Sequence, residues 1–129
     1  MESWIFPTNI KHYDIVKHFK RNNKIVWKYN CSLNKGDFVY LYVGNPYSQI
    51  LYKCKVLDIE LNDSVLQENK YAITLNATHK TKYAMLFLEK EYNKDTAPKF
   101  NELKEKGLGQ VQKQARVNWK LLKFLEGLN

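Results

Sequence analysis

The sequence predicts an α+β fold, a small mixed β-barrel of about five to six strands with flanking short helices, on three observations. Strand-length apolar runs follow one another through the middle of the chain, as in DFVYLYV and KYAMLFLEKEY. One long alternating segment slips phase once, which is how a strand bends to close a barrel. Two amphipathic segments with helical spacing flank these strands, one near each end.

Taken in order, WIFPTN reads as a first strand from Trp4 to Phe6, stopped by Pro7 and followed by the turn or capping residue Asn9. HYDIVKHFKRN places Ile15, Val16 and Phe19 on one helical face, with Asp14 in the first turn and Lys17, Lys20 and Arg21 opposite or beyond. NNKIVWKYNCSLNKGD lacks clean periodicity and is rich in Asn and Lys, so it is expected to be a loop. Its Trp27 is either a plug into the core or a ring facing a ligand.

Lys35-Gly36-Asp37 marks a turn before the strand DFVYLYV, which Gly44, Asn45 and Pro46 end. SQILYKCKVLDIEL then alternates Ile50, Tyr52, Cys54 and Val56 against Lys53 and Lys55. After Val56 the phase changes to Leu57, Ile59 and Leu61, predicting a bulge. A polar loop from Asn62 to Lys70 leads to the strands YAITLNA and KYAMLFLEKEY, a hairpin around Thr78 to Thr81. FNELKEKG gives one or two helical turns ended by Gly107. NWKLLKFLEG gives a helix capped by Asn118 and Gly127, whose stripe of Leu121, Leu122, Leu125 and Leu128 should plug one side or end of the barrel.

At 129 residues the chain is expected to be one domain, residues 1–129. A mean hydropathy of -0.56 and the lack of any apolar run of about 18 residues predict a soluble, cytoplasmic protein without membrane contact. Cys31 and Cys54 lack metal or redox spacing and are expected to be reduced thiols. The net charge of +8 favours a polyanionic partner. Aromatics make up 14% of the residues, more than the interior of such a domain needs, so some should line a site.

No P-loop, HExxH or GxSxG motif is present. GLGQVQ lacks the third glycine and the preceding strand of a dinucleotide fingerprint. His12, His18 and His79 are scattered, and Glu60, Glu89 and Glu91 have no evident partner, so neither catalytic residue, metal nor cofactor is assigned. What gathers at element ends is a set of aromatic and small polar residues: Trp4, Asn9, Trp27, Tyr29, Tyr42, Gly44, Tyr47 and Ser48. Rings for the faces of a base and amide, hydroxyl or backbone groups for its edge are what a flipped base requires. Lys28, Lys80 and Lys82 are the candidate phosphate contacts at the mouth of such a pocket.

GDFVYLYVGNPYSQILYKCKV, with Trp27 before it and WIFPTN then YDI at the start, resembles the EVE domain family. The closing GLGQVQKQARVNWKLLKFLE is similar to the end of such chains. The resemblance implies a PUA-like fold, related to YTH and ASCH domains, that reads a modified base in DNA or RNA. It places Trp27 as the loop tryptophan, Tyr42 as the strand-end aromatic, Gly44 to Ser48 as the turn and Asn9 as the polar residue after the first strand. FPTN stands where the best-known subgroup carries a KSEP-like stretch, so the modification recognised is left open. The resemblance also allows a protein partner or an effector nuclease. Two alternatives stand beside the reader. An ASCH-like amidohydrolase acting on a modified nucleoside needs a Lys and a Glu converging in the pocket beside a Thr or Tyr. A protein-interaction module needs a flat aromatic patch.

Overall fold

The computed structural model describes residues 1–61 and 81–128. The expected strand YAITLNA, His79 and Lys80 lie outside them. The elements are β1 (Ser3–Thr8), α1 (Ile15–Phe19), β2 (Lys24–Tyr29), β3 (Phe38–Val43), β4 (Gln49–Asp58), β5 (Lys82–Glu91), α2 (Phe100–Glu105), β6 (Ala115–Arg116) and α3 (Trp119–Glu126). The six described strands form one curled sheet in the order β2-β5-β4-β3-β1-β6, with β2 and β6 outermost among the described residues. This is the α+β small-barrel class that the strand and helix order predicts.

Strands β3, β4 and β5 form an antiparallel meander, to which β1 adds by parallel pairing with β3, Trp4 opposite Val39 and Thr8 opposite Val43. The register between β4 and β5 shifts at Lys53/Cys54 and again at Val56/Asp58. The second shift sits where the sequence slips phase, and such shifts bend a strand and raise its twist.

One expected loop is a strand. KIVWKY pairs along its whole length with β5, Trp27 opposite Ala84, and buries Ile25, Val26 and Tyr29. The Asn and Lys residues that suggest a loop lie at the strand ends or project outward from an edge. α1 is pinned to the start of this strand through His18, whose Nε2 meets the Lys24 carbonyl at 2.7 Å and whose Nδ1 meets the Tyr13 hydroxyl at 2.7 Å. A carbonyl only accepts, so the hydrogen sits on Nε2, and in the neutral ring Nδ1 accepts from Tyr13.

The Gly36-Asp37 pair has a physical reason. Gly36 takes a φ of 93°, open to glycine at little cost. That turn places the Asp37 carboxylate, 2% exposed, where three N–H groups converge: Trp4 Nε1 at 3.0 Å, the Asn34 amide at 2.9 Å and the Glu2 amide at 3.1 Å. At the other end of the chain Gly107, with φ of 107°, closes α2 in a Schellman arrangement: Leu108 N–H reaches the Leu103 carbonyl and Gly107 N–H that of Lys104. Asn118 then caps α3 through its side chain to the Leu121 amide at 2.9 Å and donates to the Gly107 carbonyl at 2.6 Å. Leu121 and Leu125 complete the core with Leu103, Phe6, Leu41 and Ile50, while Leu122 and Leu128 are half-buried.

No described helix is long and apolar enough to cross a membrane. Among the described residues no three His, Cys, Asp or Glu side chains gather as a metal site.

Candidate functional site

Among the described residues β2 and β6 are the outermost strands of the curled sheet, and backbone groups that no neighbouring strand pairs must find a partner or water. Here the side chain of Gln114, just before β6, does what a missing strand would do. Its Oε1 accepts from the Asn30 amide at 2.9 Å and its Nε2 donates to the Lys28 carbonyl at 3.0 Å. Both edges are thus stapled together at one point.

Beside that staple lies a cleft of about 860 Å³, within the roughly 300–1,000 Å³ usual for a small-molecule site. Trp27 to Asn30 line it from the β2 edge, Val111 to Gln114 from the segment before β6, and Pro7, Thr8, Tyr42 and Gly44 from the ends of β1 and β3. Asn9, His12 and Thr81 complete it. The ends of β1 and β3 are locked to each other by Thr8, whose hydroxyl donates to the Tyr42 carbonyl at 2.9 Å and whose carbonyl accepts from the Gly44 amide at 3.0 Å. A Cβ on Gly44 would stand 3.3 Å from that same carbonyl, so this close approach favours glycine.

Six of the sequence candidates therefore meet in one place: Asn9, Trp27, Lys28, Tyr29, Tyr42 and Gly44. Trp27 is half-buried and packs against the core on one side. Being on a strand paired with β5, its ring is held by a rigid element. Burial raises the Tyr42 phenol, offset in part by a hydrogen bond with Ser48. Burial also raises the Tyr29 phenol, whose oxygen accepts from the Glu60 amide at 3.2 Å. Both phenols stay neutral near pH 7. The charged and titratable side chains among the described lining residues are Lys28, Lys113, His12 and these two tyrosines, with no Asp or Glu.

The other candidates lie elsewhere. Trp4 is a core residue, 4% exposed, with its indole committed to Asp37 and Arg116 stacked 5.2 Å from its ring centre, so it does not wall the cleft. Tyr47 lines a separate cleft of about 430 Å³ with Val16, Lys20, Tyr52 and Tyr92. Ser48 takes a φ of 51° after the cis Asn45-Pro46 bond and reaches the site only through Tyr42. Lys82 is exposed and 3.9 Å from Glu60. Lys80 is outside the described residues. Sequence reading missed Thr8, His12, Asn30 and the whole 111–114 wall. The signal for that wall was GLGQVQKQ itself, too polar for a buried strand and too short of charge for a solvated loop.

No family model matches the chain, and no curated protein does. Solved structures do. The ASCH protein from Zymomonas mobilis superposes with a TM-score of 0.67 at 10% identity, over 99% of this chain and 96% of that one. A structural-genomics protein from Pseudomonas syringae gives 0.66 at 14% identity, over 96% and 97%. A hypothetical protein from Leishmania major gives 0.63 at 14% identity, over 98% and 92%. The fold is thus the ASCH-type, PUA-like small barrel.

Proposed function

We propose that the chain is a nucleic-acid-binding module that admits one base, carrying a modification, into the cleft beside the Gln114 staple. The observation that carries this reading is the joint lining of one cleft by the strand-held ring of Trp27, the residues Asn9 and Asn30 with their side-chain carboxamides, and the cations Lys28 and Lys113. A ring offers a stacking face, amides offer donors and acceptors for a base edge, and cations draw the phosphates. A concave, mixed lining of this kind suits a planar polar ligand better than a flat protein partner. It is also the arrangement expected of an EVE-like reader.

The amidohydrolase alternative calls for a Lys and a Glu together at the reacting bond. Lys28 and Lys113 meet no carboxylate among the described lining residues, and the exposed Lys82–Glu60 pair is outside the cleft. A screen of unmodified and modified nucleosides and short oligonucleotides against the purified chain tests the proposal. Saturable binding that prefers one modified base, and is lost in Trp27→Ala, supports it. Hydrolysis of an acylated nucleoside, or equal affinity for every base and modification, would overturn it.

A further inference from the structure

The wall of the cleft continues into an exposed surface that the base-binding reading does not use. From Leu108 to Leu125 the chain carries four cations, Lys113, Arg116, Lys120 and Lys123, and no acidic residue of its own, although Glu2 lies 4.0 Å from Arg116. Lys113 lines the cleft, and the others follow as the chain runs out of it along β6 into α3. Between the bend at Lys113 and the start of α3 the run is extended: Ala115 and Arg116 pair with Ile5 and Trp4, and the Val117 amide reaches the Ser3 carbonyl at 2.9 Å. Six positions separate Lys113 from Trp119, so at ~3.3 Å per extended residue the path covers about 20 Å.

At its far end stands Trp119, 76% exposed. A tryptophan on a helix surface normally turns toward the core, yet α3 buries Leu121 and Leu125 and leaves this ring outside. It is not idle in solvent, because the Lys123 amine sits 5.8 Å from its ring centre. A lone aromatic ring beside a cation, at the end of a line of cations, is the composition of a stacking platform on a phosphate track.

We infer that a single strand whose base occupies the cleft runs on along β6, its phosphates over Lys120 and Lys123 beyond the Arg116–Glu2 pair, and stacks a second base on Trp119. This rests on the cleft being a nucleic-acid site. Charge decides against an apolar protein partner for this face, since such a partner would have to desolvate these cations without neutralising them.

The test measures the affinity of the wild-type chain and of Trp119→Ala for single-stranded dT and rU oligonucleotides of about two and about twelve nucleotides. The wild type is expected to bind the long strand more tightly. Trp119→Ala is expected to weaken long-strand binding about tenfold and to leave the short one unchanged. Lys120→Glu with Lys123→Glu should have the same selective effect and flatten the salt dependence. Because Trp119 is exposed, the variant should melt with the wild type, which separates lost contact from lost fold. Equal affinity for both lengths, or long-strand binding indifferent to Trp119, overturns the track and leaves the cleft reading standing. Absence of long-strand binding overturns the track and leaves the cleft reading to the screen of modified nucleosides. A change in sedimentation of Trp119→Ala with unchanged oligonucleotide affinity identifies the face as a self-association surface and also overturns the track.

Discussion

The indole N–H of Trp4 donates to the Asp37 carboxylate at 3.0 Å, joining the first strand to the turn that opens the third. The carboxylate is buried and holds two backbone amides as well. Trp4→Phe keeps an aromatic side chain but removes the donor and part of the buried ring, so it should cost at least about 1–3 kcal/mol of stability. Urea unfolding measures this loss, while ligand affinity of the folded protein should be unaltered because Trp4 is no part of the cleft.

Trp27→Ala should behave in the opposite way. Removing the stacking face is expected to cost about 1–3 kcal/mol in affinity for a base. Its half-exposed ring should cost less stability than the ~3–5 kcal/mol of a fully buried one. Melting and titration of the same variant check both. A collapse in stability with full affinity in the folded fraction would make Trp27 a plug.

Gln114→Leu deletes two hydrogen bonds to the β2 edge at once. A loss of about 1–3 kcal/mol is expected. The Asn30 amide should also exchange with deuterium faster than in the wild type, with the β4–β5 amides unchanged. Unaltered exchange at Asn30 would show that the edges do not depend on this side chain.

Alkaline pH should unfold the protein through its buried tyrosines. Burial pushes the Tyr92 phenol up to about 12 and raises Tyr40 and Tyr52 as well, the last two also through nearby negative charge. In the unfolded chain these phenols ionise near 10. Above that pH the unfolded state binds fewer protons than the native one, so stability is full below about pH 10 and falls as pH rises toward 12. Tyrosinate absorbance followed with circular dichroism should show a late, cooperative group of phenols ionising as the fold is lost.

Binding should weaken with salt. Lys28→Ala and Lys113→Ala should each lower the slope of log affinity against log salt by about one. Lys82→Ala should change it less, since Glu60 already faces that amine. Titrations at several ionic strengths provide the measurement, and a flat slope for the wild type would remove the phosphate contacts.

The sequence showed its strands wherever side-chain alternation reports burial. The slip after Val56 and the caps Asn118, Gly107 and Gly127 were legible because each is a local event. β2 was not, because an edge strand between Asn22-Asn23 and Asn30 shows only a short apolar core to a pattern search. The consequence falls on the site, because a loop position for Trp27 implies none of the rigidity that pairing with β5 confers. Trp4 and Tyr47 were placed with the binding aromatics because residue type does not report depth, and only the packing puts one under Arg116 and the other in the second cleft. The 111–114 wall joins residues more than eighty positions apart to Lys28 and Asn30, a juxtaposition that no local window contains.

The place of β1 in the sheet has a kinetic consequence. Its neighbours are β3, met through a parallel pairing, and β6, more than a hundred residues downstream. The β3–β5 meander has a more local topology, whereas β1 must wait for both flanks. During synthesis β1 therefore leaves the ribosome with one side uncovered until Ala115 and Arg116 arrive. Nascent chains stopped before Ala115 should present Trp4 and Ile5 along an open edge, a natural handle for chaperones.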